Sequence, residues 1–168
     1  MPRPSNSDTG ALDEVLLRVG RLNYTWTNTE SLFIHVMAGL AGMDKETAVV
    51  VFLTLNTTAA RLDLVDRLSK LPRVPDEERR AVTALTQRFR KESRLRNKYN
   101  HCIYSFDPEG RTPLTIMMRI ADRKDEIIMG KQEPAGEDQL SQIDETIGRL
   151  KQLNLDIWAV IRAQGYPL

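Results

Sequence analysis

One cysteine, Cys102, stands among 168 residues. That scarcity excludes a disulfide within the chain and a cysteine cluster around zinc, and makes a reducing cytoplasm the plainest setting. Histidine is almost as rare: with His35 and His101 alone, a histidine-rich metal centre is not expected. There is no glycine-rich phosphate loop and no serine in a nucleophile elbow, so neither a bound cofactor nor a serine hydrolase is expected. Long apolar runs are missing too. The stretch from Phe33 to Met43 contains His35, Gly39 and Gly42 and falls well short of the roughly 20 residues needed to span a bilayer, so no membrane role is expected. Met1 to Gly10 carries Pro2, Pro4, Ser5 and Ser7 but not the apolar core of a secretory signal, and is expected to be a flexible tail. An excess of one charge is absent as well. With a net charge of +1, binding to nucleic acid has to be argued from local distribution.

What remains is ordinary globular material. Hydrophobic residues make up 41% and charged residues 28%, enough for one well-filled core, and residues 11–168 are expected to form a single domain. From Leu12 to Leu40 apolar residues recur at three- and four-residue steps through Val15, Leu22, Trp26, Phe33 and Met37, which predicts one long amphipathic helix ending at Gly42. Asp44 is a natural N-cap for a second, running through Ala48, Phe52, Leu55, Leu62 and Val65 to the stop at Leu71-Pro72. Its mixed charges, Arg61 among them, predict a solvated face. Pro75 and the acids Asp76, Glu77 and Glu78 open a third, where negative charge suits the helix dipole. A fourth follows Gly136 through Leu140, Ile143, Ile147, Leu150, Ile157 and Ile161.

Between the third and fourth long helices the period changes to two. Tyr104 and Phe106 precede a turn at Asp107-Pro108-Glu109-Gly110, Leu114, Ile116, Met118 and Ile120 alternate, and a short strand is expected near Glu126 to Lys131 after a turn at Asp122 to Asp125. The predicted fold is mainly α: a four-helix bundle with a small antiparallel β meander inserted at about residues 102–132.

Chemistry concentrates where the third helix gives way to the strands. That helix carries Arg79, Arg80, Arg88, Arg90, Lys91, Arg94, Arg96 and Lys98 against Glu92 as its only acid from Arg79 onward, a basic face suited to a polyanion. At its end, in Arg94-Leu95-Arg96-Asn97-Lys98-Tyr99-Asn100-His101, the Arg96 fork suits a phosphate and the His101 imidazole suits moving a proton. Asn97 can orient the ring or the substrate. Such a pair could bind an RNA phosphate and move the proton of its 2′-hydroxyl without a metal ion. On an ideal helix Arg96 and His101 lie about 140° apart, so they converge only if the helix loosens or a second chain contributes. Two plainer roles compete. Glu92 and Arg96, four apart, have the spacing of an ion pair, and Lys98 and His101 suit a helix C-terminus on dipole grounds alone. Glu30, on the apolar stripe between Trp26 and Phe33, needs a partner and is another candidate for Arg96. His35, a lone helical histidine, reads as structural.

The run Arg96-Asn97-Lys98-Tyr99-Asn100-His101 resembles the motif of the HEPN superfamily of helical nucleotide- and RNA-associated domains: an arginine, a polar residue, then a histidine four to six places after the arginine, late in a bundle helix. Glu30 resembles the acidic residue that early helices of the family carry. The resemblance implies a metal-independent endoribonuclease, with Arg96 on the scissile phosphate, His101 carrying the proton, and a site formed where two motifs meet in a homodimer. Arg94, Asn97, Lys98, Tyr99 and Glu30 would support the substrate. The alternative reading is a non-catalytic module whose basic helix binds a nucleotide or an acidic protein, and a third is one member of a toxin–antitoxin pair with an antitoxin as partner.

Overall fold

A computed structural model describes residues 6–106, 112–117, 120–130 and 132–168. In chain order its elements are α1 (Asn6–Ser31), α2 (Phe33–Ala41), α3 (Lys45–Thr54), α4 (Thr58–Leu68), α5 (Asp76–Asn100), β1 (Cys102–Phe106), β2 (Pro113–Met117), β3 (Ile120–Arg123), β4 (Glu126–Met129), β5 (Gln132–Pro134) and α6 (Glu137–Ala163). The chain is mainly helical, with small antiparallel strands between α5 and α6. Helix α1 already begins at Asn6, inside the stretch expected as a tail; residues 1–5 lie outside the described ones.

Both helices expected before Pro72 prove to be pairs. At Leu32 the α-helical ladder slips to a three-residue bond, Leu32 N–H to Thr29 O at 3.3 Å. Nearby hydroxyls compete for the backbone: Thr29 Oγ1 donates to Thr25 O at 2.8 Å and Ser31 Oγ to Asn28 O at 3.0 Å, a habit of Ser and Thr that bends helices. The second break falls at 55–57, where Thr57 caps α4 by accepting from Ala60 N–H at 3.1 Å. Apolar period runs on through both breaks, so periodicity alone reads across them. Asp44 caps α3 as predicted, accepting from Thr47 N–H at 2.7 Å.

Helix α5 starts one residue after Pro75, whose carbonyl accepts from Arg79 N–H at 2.9 Å. Its inner stripe buries Val82, Leu85, Phe89, Glu92 and Tyr99. Helix α6 buries Ile143, Ile147, Leu150, Ile157 and Ile161, and adds Leu153. Gly165, at φ 62°, ends it with paired bonds, Gly165 N–H to Arg162 O at 3.2 Å and Tyr166 N–H to Ile161 O at 3.0 Å; a residue without Cβ takes that left-handed conformation at no steric cost.

Contacts within the chain form two compact units, Met1–Tyr24 with Arg94–Ile147 and Thr25–Ser93 with Gly148–Leu168, and α1, α5 and α6 each contribute to both. The core of the second unit is built on aromatics. Trp26 stacks on Phe89 with centroids 4.0 Å apart, and Phe33 meets the same ring edge-on at 5.5 Å. Each such buried side chain contributes about 1.5–3 kcal/mol of transfer free energy.

In the first unit β1 pairs antiparallel with β2, from Cys102 opposite Met117 to Phe106 opposite Pro113. The other edge of β2 pairs with β5, Leu114 opposite Pro134 and Ile116 opposite Gln132. Strands β3 and β4 form a separate hairpin closed by Lys124-Asp125. The meander is thus corrected: the alternation from Leu114 to Ile120 is shared between β2 and β3, and the strand that completes the sheet is β5, two strands later. Alternation marks strands but carries no information on pairing. The turn predicted at Asp107 to Gly110 lies outside the described residues.

Candidate functional site

The motif occupies the last turns of α5, within the first unit. The helix stays regular to its end, since His101 N–H still donates to Asn97 O four residues back at 3.2 Å. Arg96 and His101 therefore leave the helix on different faces, about 140° apart. No loosening of the helix turns them toward each other. His101 is exposed, as are Arg94 and Asn97, while Arg96 is half-buried.

Arg96 is held by amides. Its Nη1 donates to Asn97 Oδ1 at 3.1 Å. On the other edge the Asn100 amide, with its oxygen toward the guanidinium, accepts from Nε at 2.9 Å and Nη2 at 3.0 Å, and its nitrogen donates to Asn23 Oδ1 at 2.8 Å. Chemistry dictates that orientation, because a guanidinium has only donors and an amide nitrogen cannot face it. Asn23, on α1, and Asn100 were not anticipated. The four-residue spacing of Arg96 and Asn100 was a signal; Asn23 had none, being brought there from another helix.

Lys98 and Tyr99 are drawn inward. Lys98 pairs with Glu133 of β5 and sits 5.4 Å from the centre of the Tyr99 ring. It is thus a link between α5 and β5. Tyr99 is 2% exposed, its hydroxyl has no hydrogen-bond partner among the described residues, and burial pushes its pKa up to about 12. A substrate-contacting role for its ring is corrected to a core role. Its carbonyl, one of the orphan acceptors at a helix end, receives Tyr104 Oη–H at 2.9 Å and Cys102 Sγ–H at 3.4 Å. Those two β1 side chains provide the C-terminal cap expected of His101. Burial also raises the pKa of Tyr104, with its hydrogen bond to Cys102 adding to the shift.

The two carboxylates considered for Arg96 hold other arginines, both in the second unit. Glu30, 7% exposed, accepts from Thr58 Oγ1 at 2.6 Å and from Arg61 Nη1 at 3.1 Å. Arg61 also donates through Nε to the carbonyls of Phe52 in α3 at 3.1 Å and of Leu55 just after it at 2.9 Å, with its guanidinium carbon 4.2 Å from the centre of the Phe52 ring. Expected on a solvated face, Arg61 instead joins α1, α3 and α4. Glu92 takes the fork of Arg149 from α6, Nε to Oε1 at 3.0 Å and Nη2 to Oε2 at 3.1 Å.

Several cations on the basic face of α5 are paired. Arg79 meets Asp76 at 2.9 Å, Arg88 meets Asp156 at 2.7 Å, and Arg90 meets Asp63 at 2.8 Å and Asp66 at 2.9 Å. With Lys98, at least four of the eight cations counted on this helix are engaged by acids among the described residues, three of them by acids on other elements. A linear tally of charge could not show those partners. Arg80, Lys91 and Arg94 are exposed and make no ion pair among the described residues. His35 has a structural contact, its Nδ1 lying 2.7 Å from Pro167 O.

Among the described residues no group of three or more His, Cys, Asp or Glu side chains is arranged to hold a metal ion, and no helix is long and apolar enough to cross a membrane. No protein-family model, curated protein or solved structure matches the chain.

Proposed function

We propose that the chain is an HEPN-like RNA-binding protein that acts as a metal-independent endoribonuclease, with Arg96 on the scissile phosphate and His101 carrying the proton. One observation supports this above the others. At the end of α5 a guanidinium is held in place by neutral amide oxygens, five residues from an exposed imidazole, while Glu30 and Glu92 are occupied by Arg61 and Arg149. A guanidinium fork can bind a phosphate in two places and stabilise the negative charge that develops on it. Proton transfer then falls to the imidazole, which would take a proton from the attacking 2′-hydroxyl or return one to the leaving oxygen.

Regular helix up to His101 sets a condition on the reaction. Since Arg96 and His101 diverge on one helix, the His101 that serves a given Arg96 belongs to a second copy, and the active species is a homodimer with composite sites. A bundle arrangement of the long helices and a cytoplasmic setting complete the reading. The paired cations Arg79, Arg88 and Arg90 favour a second one, a non-catalytic module that binds a nucleotide or an acidic protein such as an antitoxin through the exposed cations that remain.

Cleavage of a mixed RNA pool in the presence of EDTA tests the proposal. Wild type should cleave, Arg96→Ala and His101→Ala should each lose at least about a hundredfold, in line with loss of an electrostatic stabiliser and of a general acid or base respectively, and both should fold. Mixing the two inactive variants should restore about a quarter of the sites, because half of randomly assorted dimers are mixed and each holds one intact composite site. Absence of cleavage by well-folded wild type would leave the binding module as the standing account.

A further inference from the structure

Within the first unit, α1 turns to solvent a face that nothing in the chain uses. At about 100° per residue, Gly10, Asp13, Leu17, Gly20, Arg21 and Tyr24 share one arc around Leu17, on the side of the helix away from the buried Val15 and Leu22. All six are exposed, Leu17 by 55% and Tyr24 by 73%. Asp13 and Arg21 make no ion pair among the described residues. Outside the adjoining helix, no atom of the chain lies within 4 Å of where a Cβ would stand on Gly10 or Gly20. A glycine inside a helix weakens it, and Gly20 gains no contact within the chain in return.

From this arrangement we infer that α1 is a self-association surface, on which a second copy of the chain lays its own α1 antiparallel about a two-fold axis at Leu17. Residues equally far before and after Leu17 then face one another. Asp13, four before, meets Arg21, four after, of the second copy, and symmetry repeats the ion pair on the other side. Tyr24, seven after, lies over Gly10, seven before, so an exposed ring meets a position without a side chain. Gly20 leaves room for Glu14 of the second copy, and the two Leu17 side chains meet on the axis, out of water. Charge decides the direction. A parallel pair would set Asp13 against Asp13, Arg21 against Arg21 and Tyr24 against Tyr24, with like charges opposed. The face is thus complementary to itself in charge and in size, as a contact that closes after two copies requires. It gives the homodimer a surface, and does not depend on whether the chain cleaves RNA.

Sedimentation velocity on the full chain over a concentration series, with urea unfolding alongside, tests this. Wild type should reach twice the monomer mass. Leu17→Glu sets two carboxylates against each other on the axis and should raise the dimer Kd at least about a hundredfold, with the fold kept because the side chain is already half in water. Asp13→Arg and Arg21→Asp should each raise it about tenfold. Both changes in one chain should return it to near the wild-type value, because each ion pair forms again with its signs exchanged. Only the antiparallel arrangement gives that rescue, since in a parallel pair each single reversal replaces one like-charged contact with another. Should Leu17→Glu fail to fold, the reversals, at exposed positions, decide alone. A monomeric wild type would overturn the inference and remove the composite RNA sites with it. A dimer indifferent to Leu17→Glu, or single reversals that the double variant does not rescue, would overturn the inference and leave the RNA reading standing.

Discussion

Arg61 and Arg149 of the second unit and Arg96 of the first meet different kinds of partner. In the second, Arg61 and Arg149 are held by carboxylates, Arg61 with Glu30 at 3.1 Å and Arg149 with both oxygens of Glu92. In the first, Arg96 is met by the amides of Asn97 and Asn100, with Asn23 behind. A carboxylate supplies the stronger contact and cancels charge; an amide supplies direction and leaves charge in place. The contrast is one of partner type: carboxylates on other elements for Arg61 and Arg149, side-chain amides in the contacts described for Arg96. Residue type alone makes no such distinction, since all three are arginines on or beside apolar helix faces.

Stability measurements can break that contrast. The largest effect is expected at Glu30: Glu30→Ala strands the half-buried Arg61 cation and should cost about 3–5 kcal/mol in urea unfolding, as loss of one partner from a buried ion pair does. Arg96→Ala should cost less than about 1 kcal/mol in the same assay while abolishing cleavage. Equal losses for the two variants would mean that Arg96 is structural and would erase the distinction. An intermediate effect belongs to Tyr104→Phe, which removes the hydroxyl that caps the Tyr99 carbonyl at 2.9 Å and should cost about 1 kcal/mol. If that cap also fixes the end of α5 under His101, cleavage should fall with RNA affinity unchanged.

The smallest effect is expected at Tyr99, whose buried hydroxyl has no hydrogen-bond partner among the described residues. Tyr99→Phe should be neutral or stabilising by up to about 1 kcal/mol near pH 7, because it removes a desolvated polar atom without breaking a bond. Its pH signature is specific. Burial raises the folded-state pKa from 10.0 to about 12, so this tyrosine favours folding fully below pH 10 and that stabilisation is lost as pH rises toward 12. The phenylalanine variant should therefore show a shallower loss of stability between those pH values. An unchanged alkaline limb would place the hydroxyl in contact with solvent.

Much of the framework was legible in the chain. Asp44 as a cap, the fourth helix's stripe through Ile143, Ile147, Leu150, Ile157 and Ile161, and the switch to strands at Cys102 all depend on neighbours a few residues away, and all stand as local rules describe. The breaks at Leu32 and at 55–57 were hidden because the apolar period continues through them, although Thr29, Ser31 and Thr57 carried the hydroxyls that make them. At the candidate site, Arg96, Asn97 and His101 were visible as a motif, and Asn100 could have been found at helical spacing from Arg96. Asn23, Glu133, Arg149 and the second role of Arg61 could not.

By itself the sequence determined the helical composition, the β segment between α5 and α6, and the place where an arginine, amides and a histidine gather. Those follow from short-range periodicity, capping and turn chemistry, which need only the neighbouring residues. Tertiary structure alone decided which acid meets which cation: Glu30 with Arg61, Glu92 with Arg149, and Glu133 with Lys98. Ion pairs form wherever folding brings opposite charges within about 4 Å. For most of these pairs that proximity is set by the packing of elements far apart in the chain, and a row of charges on one helix does not record it.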